Sequence, residues 1–243
     1  MDSKTVLYAA TRGIYHDLEV CLKSLMFNTS VDKIYIMIED DVFPSYLPDC
    51  VEVINVRNQT YIQKTSPNYN VRWTYMVLMR PLASKYLREN KVISLDCDTL
   101  FFRNGDEIFD IDVSDHYYAA SVEPGDLFKP VKPYYNFGVA VLNLDRIRQD
   151  HMDDLYLTLI NSGKYDCAEQ DVMSIICSGK ILQLDPKFNS NHYTCMMDES
   201  EVIIRHYAAE PAWQSCSLYE QYQTMPWSYV ENQWRENRIK KGV

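Results

Sequence analysis

Residues 92–102 read Val-Ile-Ser-Leu-Asp-Cys-Asp-Thr-Leu-Phe-Phe, an apolar run that ends in two aspartates one residue apart, Asp96 and Asp98. Side chains at i and i+2 of an extended segment point the same way, so both carboxylates can face one ligand while Cys97 faces the other side. Two hard oxygen donors at the carboxyl end of a buried strand suit a divalent cation, and a cation suits a phosphate.

The flanking pattern predicts what surrounds that strand. Residues 5–10 read as a short apolar strand and residues 11–13 as a turn. Leu18, Cys21, Leu22, Leu25 and Met26 then recur at helical spacing, the apolar stripe of an amphipathic helix. Residues 33–38 and 51–56, rich in Ile and Val, predict two more strands. A helix over 71–88, broken or kinked near Pro81, leads into the strand 91–96. Strands are expected at 116–122 and 137–144, separated by a polar loop over 123–133. Helices at 145–161 and 169–177 and a late strand at 202–206 complete the pattern. Strands alternating with helices predict an α/β sheet covered on both faces. No repeat, low-complexity tract or linker splits the chain, so one domain is expected over 1–243. Within it the pattern divides into about residues 1–98, about 99–213 and a C-terminal helical segment over 214–243.

Charge narrows the partners. A net charge of −10 argues against a nucleic-acid surface, which needs a clustered basic face. The seven cysteines include no Cys-x-x-Cys pair, so neither a zinc site nor a disulfide framework is indicated and a reducing, cytoplasmic location is expected. No apolar run reaches membrane-spanning length, and Met1-Asp2-Ser3-Lys4 leads into a strand without a signal peptide.

Alone, an Asp-x-Asp pair is a weak signal. A phosphatase loop with a nucleophilic aspartate would need a threonine four positions on, but position 100 is Leu and the threonine is Thr99. Three further segments make the signal specific: Tyr134-Tyr135-Asn136-Phe137-Gly138-Val139 with Asn143-Leu144 behind it, Glu169-Gln170-Asp171-Val172-Met173-Ser174, and Ile203-Ile204-Arg205-His206-Tyr207. Together with the Asp96-Cys97-Asp98 segment, and in this order, they resemble the motifs of the family 8 glycosyltransferases, the group of glycogenin and the bacterial lipooligosaccharide galactosyltransferases.

The resemblance implies a single-domain, GT-A type, Rossmann-like mixed sheet with helices on both faces. It implies a metal-dependent hexosyltransferase that takes a UDP-sugar donor and retains anomeric configuration, with a saccharide or other hydroxyl compound as acceptor. The expected metal ligands are Asp96, Asp98 and His206, around Mn2+ or Mg2+; carboxylates with one imidazole favour these ions over zinc. Asn136, Glu169 and Gln170 fall in the catalytic and sugar region. Ala9, Ala10, Thr11, Arg12 and Tyr15 fall at the nucleotide pocket, where Tyr15 could stack on uracil, and Cys97, Asn136 and Gly138 also belong to the donor site. His206 could instead be a core histidine bonded to a backbone carbonyl, and Asn136 a turn residue.

The chain departs from the family pattern at two places. His206-Tyr207-Ala208-Ala209-Glu210-Pro211-Ala212-Trp213 lacks the glycine and the lysine that the family sets after its histidine, the lysine contacting the diphosphate. Charge balance then asks for another cation, with Arg12, Lys129 and Lys132 as candidates. The family's arginine before the aspartates would fall near Val77, and Arg72 and Arg80 could replace it. These losses keep a catalytically inactive nucleotide-sugar binding protein open as an alternative, beside a metal-dependent phosphohydrolase.

Overall fold

The computed structural model describes residues 3–70, 74–124 and 129–242. Nine strands alternate with helices among these residues: β1 (Thr5–Ala9), α1 (Tyr15–Asn28), β2 (Lys33–Ile38), β3 (Val51–Asn55), α2 (Ala83–Tyr86), β4 (Lys91–Leu95), β5 (Thr99–Phe101), β6 (Tyr118–Val122), β7 (Tyr135–Asn143), α3 (Leu144–Gln149), α4 (Met152–Ser162), α5 (Ala168–Ile176), β8 (Ile181–Gln183), β9 (Ile204–His206), α6 (Ser217–Thr224) and α7 (Trp227–Lys240). Seven strands form one mixed sheet in the order β3-β2-β1-β4-β7-β6-β8. The contacts of β1 with β2 and β4 are parallel, those of β7 with β4 and β6 antiparallel.

Both faces of the sheet are covered, as alternation along each strand requires. Val6 and Tyr8 of β1 pack into one core with α1 and the C-terminal helices, and Leu7 between them packs into the other core. The chain winds outward from β1 through β2 to β3, then returns to β4 on the other side of β1. Such a reversal leaves a crevice beyond the carboxyl ends of the two central strands, and Ala9 of β1 and Asp96 after β4 both line a cleft there. No helix among the described residues is long and apolar enough to cross a membrane.

Several expected elements take a different form. The described part of the helix predicted over 71–88 is a 3-10 turn, Tyr75–Leu82, followed by the short α2; residues 71–73, with the candidate Arg72, lie outside the described residues. Pro81 lacks the amide hydrogen a regular α-helix would use there. The predicted helix 145–161 is two helices, because His151 between them adopts a left-handed backbone with φ 52°. Strands β5 and β8 were not expected; at three residues each they are too short to carry a hydrophobic period.

β5 matters most for the site. It pairs antiparallel with β9 as a separate two-stranded sheet, setting Thr99 opposite His206. Between β4 and β5, Asp96 and Asp98 sit in a turn and not in extended strand, closed by the Thr99 hydroxyl donating to the Asp96 carbonyl at 2.8 Å. Tyr207 N donates to Asp98 O at 2.9 Å, so the turn and the late strand are tied together beside the histidine.

Candidate active site

The cleft at the ends of β1 and β4 encloses about 440 Å³. Its floor is the β4–β5 turn with His206. The Nε2 of His206 lies 3.3 Å from Asp96 Oδ2 and 3.3 Å from Asp98 Oδ1. One ligand atom from each of the three residues falls within 4.8 Å of the others. His206 is buried, and its ring lies against Gly138 of β7, where a β-carbon would come within 2.0 Å of Cε1. Gly138 therefore earns its place by admitting the imidazole, and its carbonyl accepts Asp96 N at 2.8 Å.

The local irregularity of β7 creates that approach. Ala120 of β6 pairs with Ala140, but the next residue, Ser121, pairs with Asn136, so residues 137–139 have no partner in β6. A bulge of this kind bends the strand and re-aims side chains beside a site.

Arg80 governs the electrostatics. It is buried, and its Nη1 lies 2.6 Å from Asp96 Oδ1 while Nη2 lies 2.7 Å from Glu169 Oε2. In a 3-10 helix, side chains three apart are eclipsed, so Arg80 shares a face with Val77, and both line the cleft. Burial pushes the Asp96 carboxyl up, but Arg80 and then His206 outweigh it and hold the group below the usual carboxylate range. Glu169 goes the other way: burial raises it, Arg80 only partly compensates, and it reaches about 7. Burial alone would lower the imidazole of His206, yet Asp98 and Asp96 raise it to about 10. Without an ion, the protonated ring supplies the positive charge between the two aspartates.

Opposite the floor, Gln170 donates through Nε2 to Glu123 Oε2 at 2.9 Å, and Glu123 Oε1 lies 3.3 Å from Lys129 Nζ. Asn136 is buried, and its Oδ1 accepts Gly138 N at 3.1 Å and Asn189 Nδ2 at 3.0 Å. The cleft thus brings together Ala9, Asp96, Cys97, Asp98, Asn136, Gly138, Glu169, Gln170 and His206 of the residues named from the sequence, together with two of the candidate cations, Arg80 and Lys129.

Other named residues fall elsewhere. Tyr15 is buried, its ring 5.0 Å from that of Phe43 and its hydroxyl donating to Asp40 Oδ2 at 2.8 Å. The ring packs into the core against Phe43. Ala10 is buried in the same core, and Thr11 is not among the lining residues. The exposed Arg12 pairs with Asp40 at 2.6 Å, outside the cleft wall, and Lys132 is also exposed and away from it. Of the three cations proposed for the diphosphate, Lys129 alone reaches the cleft. Where the family carries its glycine, Ala209 has φ 56°, so the backbone keeps the left-handed turn without the residue that favours it.

Sequence reasoning missed Glu123, although it follows its strand as Asp96 follows β4. It also missed Asn189 and Asn191, both fully buried beside His206, which no periodicity marks.

The sequence model described as "Glycosyl transferase family 8" matches residues 18–212. Glycosyltransferase GlyA of Streptococcus pneumoniae serotype 4 is 23% identical over 256 residues, covering 97% of this chain and 36% of GlyA. GlyB of the same organism is 21% identical and covers 100% of this chain and 65% of its own length. The chain thus spans about a third of the one relative and about two thirds of the other. Among solved structures, GlyE of Streptococcus pneumoniae TIGR4 superposes with a TM-score of 0.71 at 18% identity, covering 98% of this chain and 64% of GlyE. The galactosyltransferase LgtC, solved with donor and acceptor sugar analogs, gives a TM-score of 0.67 at 16% identity, over 94% of this chain and 99% of LgtC. These likenesses establish a GT-A type fold, and with the family's model matched along most of its length the chain belongs to glycosyltransferase family 8.

Proposed function

We propose that this chain is a metal-dependent, retaining hexosyltransferase that moves a sugar from a uridine-diphosphate donor to a hydroxyl of a saccharide or other acceptor. The observation that carries the reading is the convergence of Asp96, Asp98 and His206 on one point of a cleft walled by Glu169, Gln170 and Asn136. These residues fit a hard divalent ion. Asp98 Oδ1 is a buried oxygen that makes no hydrogen bond and has only the His206 Nε2 ion pair at 3.3 Å, and the carboxylate and imidazole donors suit Mn2+ or Mg2+. When bound, such an ion would offset the negative charge that grows on the departing nucleoside diphosphate.

The remaining work falls to side chains. Arg80 fixes one oxygen of Asp96 and one of Glu169, which sets the distance between the ion-binding floor and the sugar wall. With both Oδ1 contacts of Asn136 already made inside the protein, its Nδ2 is the atom offered to a sugar hydroxyl. Gln170, held through its Nε2 by Glu123, keeps its carbonyl oxygen as the acceptor for the reacting sugar. Base and ribose are assigned to the first half of the chain, about residues 1–98, and acceptor and sugar to about 99–213. The seven cysteines are free thiols, which suits the cytoplasm as the place of action.

One observation favours a second reading, a nucleotide-sugar binding protein without turnover. Among the described residues, the Lys and Arg side chains in the cleft wall, Arg80 and Lys129, are both paired with carboxylates, and neither stands where the family's lysine does. A phosphohydrolase is less well supported: the matched family model and the fold are those of glycosyltransferases, and the threonine of a phosphatase loop is absent at position 100. The deciding experiment incubates a panel of nucleotide sugars with Mn2+ and follows sugar release and the anomer formed. Manganese-dependent release, abolished in a folded Asp98→Ala variant, supports the transferase. An intact donor that nonetheless raises the melting temperature supports the binder, and phosphate release from simple monoesters supports the hydrolase.

A further inference from the structure

The buried asparagines beside His206 form a relay whose direction can be read from its ends. At one end is a backbone amide, which cannot be reversed: Gly138 N donates to Asn136 Oδ1 at 3.1 Å. That oxygen also receives Asn189 Nδ2 at 3.0 Å, so the amide orientation of Asn189 follows. Its Oδ1 must then face the His206 ring, and it lies 2.9 Å from Nδ1. The other end agrees. Tyr193 N and Thr194 N donate to Asn191 Oδ1 at 2.8 and 3.1 Å, which turns Asn191 Nδ2 toward Asn189 Oδ1 at 2.9 Å.

An amide oxygen can only accept. At 2.9 Å it would oppose a bare Nδ1 lone pair; Asn191 Nδ2 lies farther from that atom, at 3.4 Å, and gives its protons to Asn189 O and Oδ1, so the proton belongs on Nδ1. We propose that Asn189 is the positioning residue of the His206 ligand: by accepting from Nδ1–H it keeps the Nε2 lone pair on the side of Asp96 and Asp98. The role rests on the ion-binding reading of that cluster. Nothing in the motif resemblance names Asn189, and its place in the chain, 17 residues from His206, gives no hint of contact. The imidazole also rests against Gly138, and the His206 backbone is fixed by Ser190 O accepting His206 N at 3.1 Å. Asn189 therefore governs which nitrogen is available, while the backbone governs where the ring lies. Partners that orient a ligating histidine in this way typically change metal affinity by about 10- to 100-fold when removed.

The test is Mn2+ titration by calorimetry on the full chain at constant pH, with wild type, Asn189→Leu, Asn189→Asp and His206→Ala. Removing the acceptor in Asn189→Leu should weaken Mn2+ binding by about 10- to 100-fold. Asn189→Asp, which keeps an acceptor against Nδ1, should recover most of that loss. A second measurement needs no variant to fold: nitrogen-15 histidine spectra of the Mg2+-loaded wild type should show His206 protonated at Nδ1 and bare at Nε2. A proton on Nε2 in that state overturns the proposal. So does equal Mn2+ affinity in wild type and Asn189→Leu while His206→Ala is weaker, which leaves the ion reading standing. If wild type itself binds no Mn2+, the ion reading falls and the positioning role falls with it.

Discussion

Replacing Gly138 by alanine adds one methyl group against the face of the proposed metal-ligating histidine. The new β-carbon would lie 2.0 Å from His206 Cε1, 2.4 Å from Nδ1 and 2.7 Å from Nε2. Ordinary contact begins near 3.4 Å, so ring and strand must separate by about 1.4 Å, the difference between 3.4 and 2.0. Neither side yields easily. The ring is held by Asn189 and its backbone by the Ser190 carbonyl, and Gly138 is held by Asp96 N and Asn136 Oδ1. Gly138 is not among the glycines with positive φ, so the backbone itself accepts alanine, and the change should even recover about 0.5 kcal/mol of chain entropy. Overpacking of a close-packed site costs about 1–3 kcal/mol, and a displacement this large sits at the upper end. The expected net loss is about 2 kcal/mol, or about 4–8 °C in melting temperature for a chain of this size. Urea unfolding of Gly138→Ala, His206→Ala and the double variant checks the reasoning. Without the imidazole the methyl has room, so the second change should cost less than about 0.5 kcal/mol in the His206→Ala background. An equal cost in both backgrounds would refute the close-approach argument, as would unchanged Mn2+ affinity in Gly138→Ala.

Three further outcomes are expected. Ala209→Gly should stabilise the fold by about 0.5–1 kcal/mol in urea unfolding, because the left-handed backbone at φ 56° costs alanine about 1–2 kcal/mol and glycine's extra chain entropy returns part of it; a destabilised variant would mean that the methyl packs usefully. Arg80→Met should destabilise by about 3–5 kcal/mol, since Asp96 and Glu169 both lose a buried cation, and the loss should shrink at low pH where Glu169, already raised to about 7, takes a proton. His206 is raised to about 10 in the ion-free protein, so binding Mn2+ at pH 7.5 must release a proton, and affinity should climb with pH throughout the range 6.5 to 10 and not level off above 6.5. The sign for folding is the reverse: between these values the native state holds a proton that the unfolded chain has lost, so ion-free stability falls as pH rises across that window. Calorimetry in buffers of different ionisation enthalpy reads the proton release, and its absence would show that the imidazole is already neutral or does not ligate.

The alternation of apolar strands with amphipathic helices was legible in the chain because burial on both faces of a sheet imposes a continuous apolar run, and packing on one face of a helix imposes a 3.6-residue stripe. β1, β2, β3 and β4 and the stripe of α1 follow from those periods alone. The spacing of Asp96 and Asp98 also marked them as a pair, although they converge through the β4–β5 turn closed by Thr99 and not through an extended strand. The rest depends on segments too short to show a period or on contacts between distant residues. The three residues of β5 set Thr99 opposite His206, and so bring the imidazole beside Asp98, 108 positions earlier in the chain, through a ladder that no local pattern encodes. Arg80 takes up the face of Val77 because Tyr75–Leu82 is wound as a 3-10 helix, a choice set by Pro81 and by packing. The commitment of Tyr15 to Phe43 and Asp40, and the Asn136–Asn189–Asn191 relay behind the histidine, were equally invisible. A tyrosine or an asparagine carries several hydrogen-bonding options at once, and only the folded neighbours decide which of them remain.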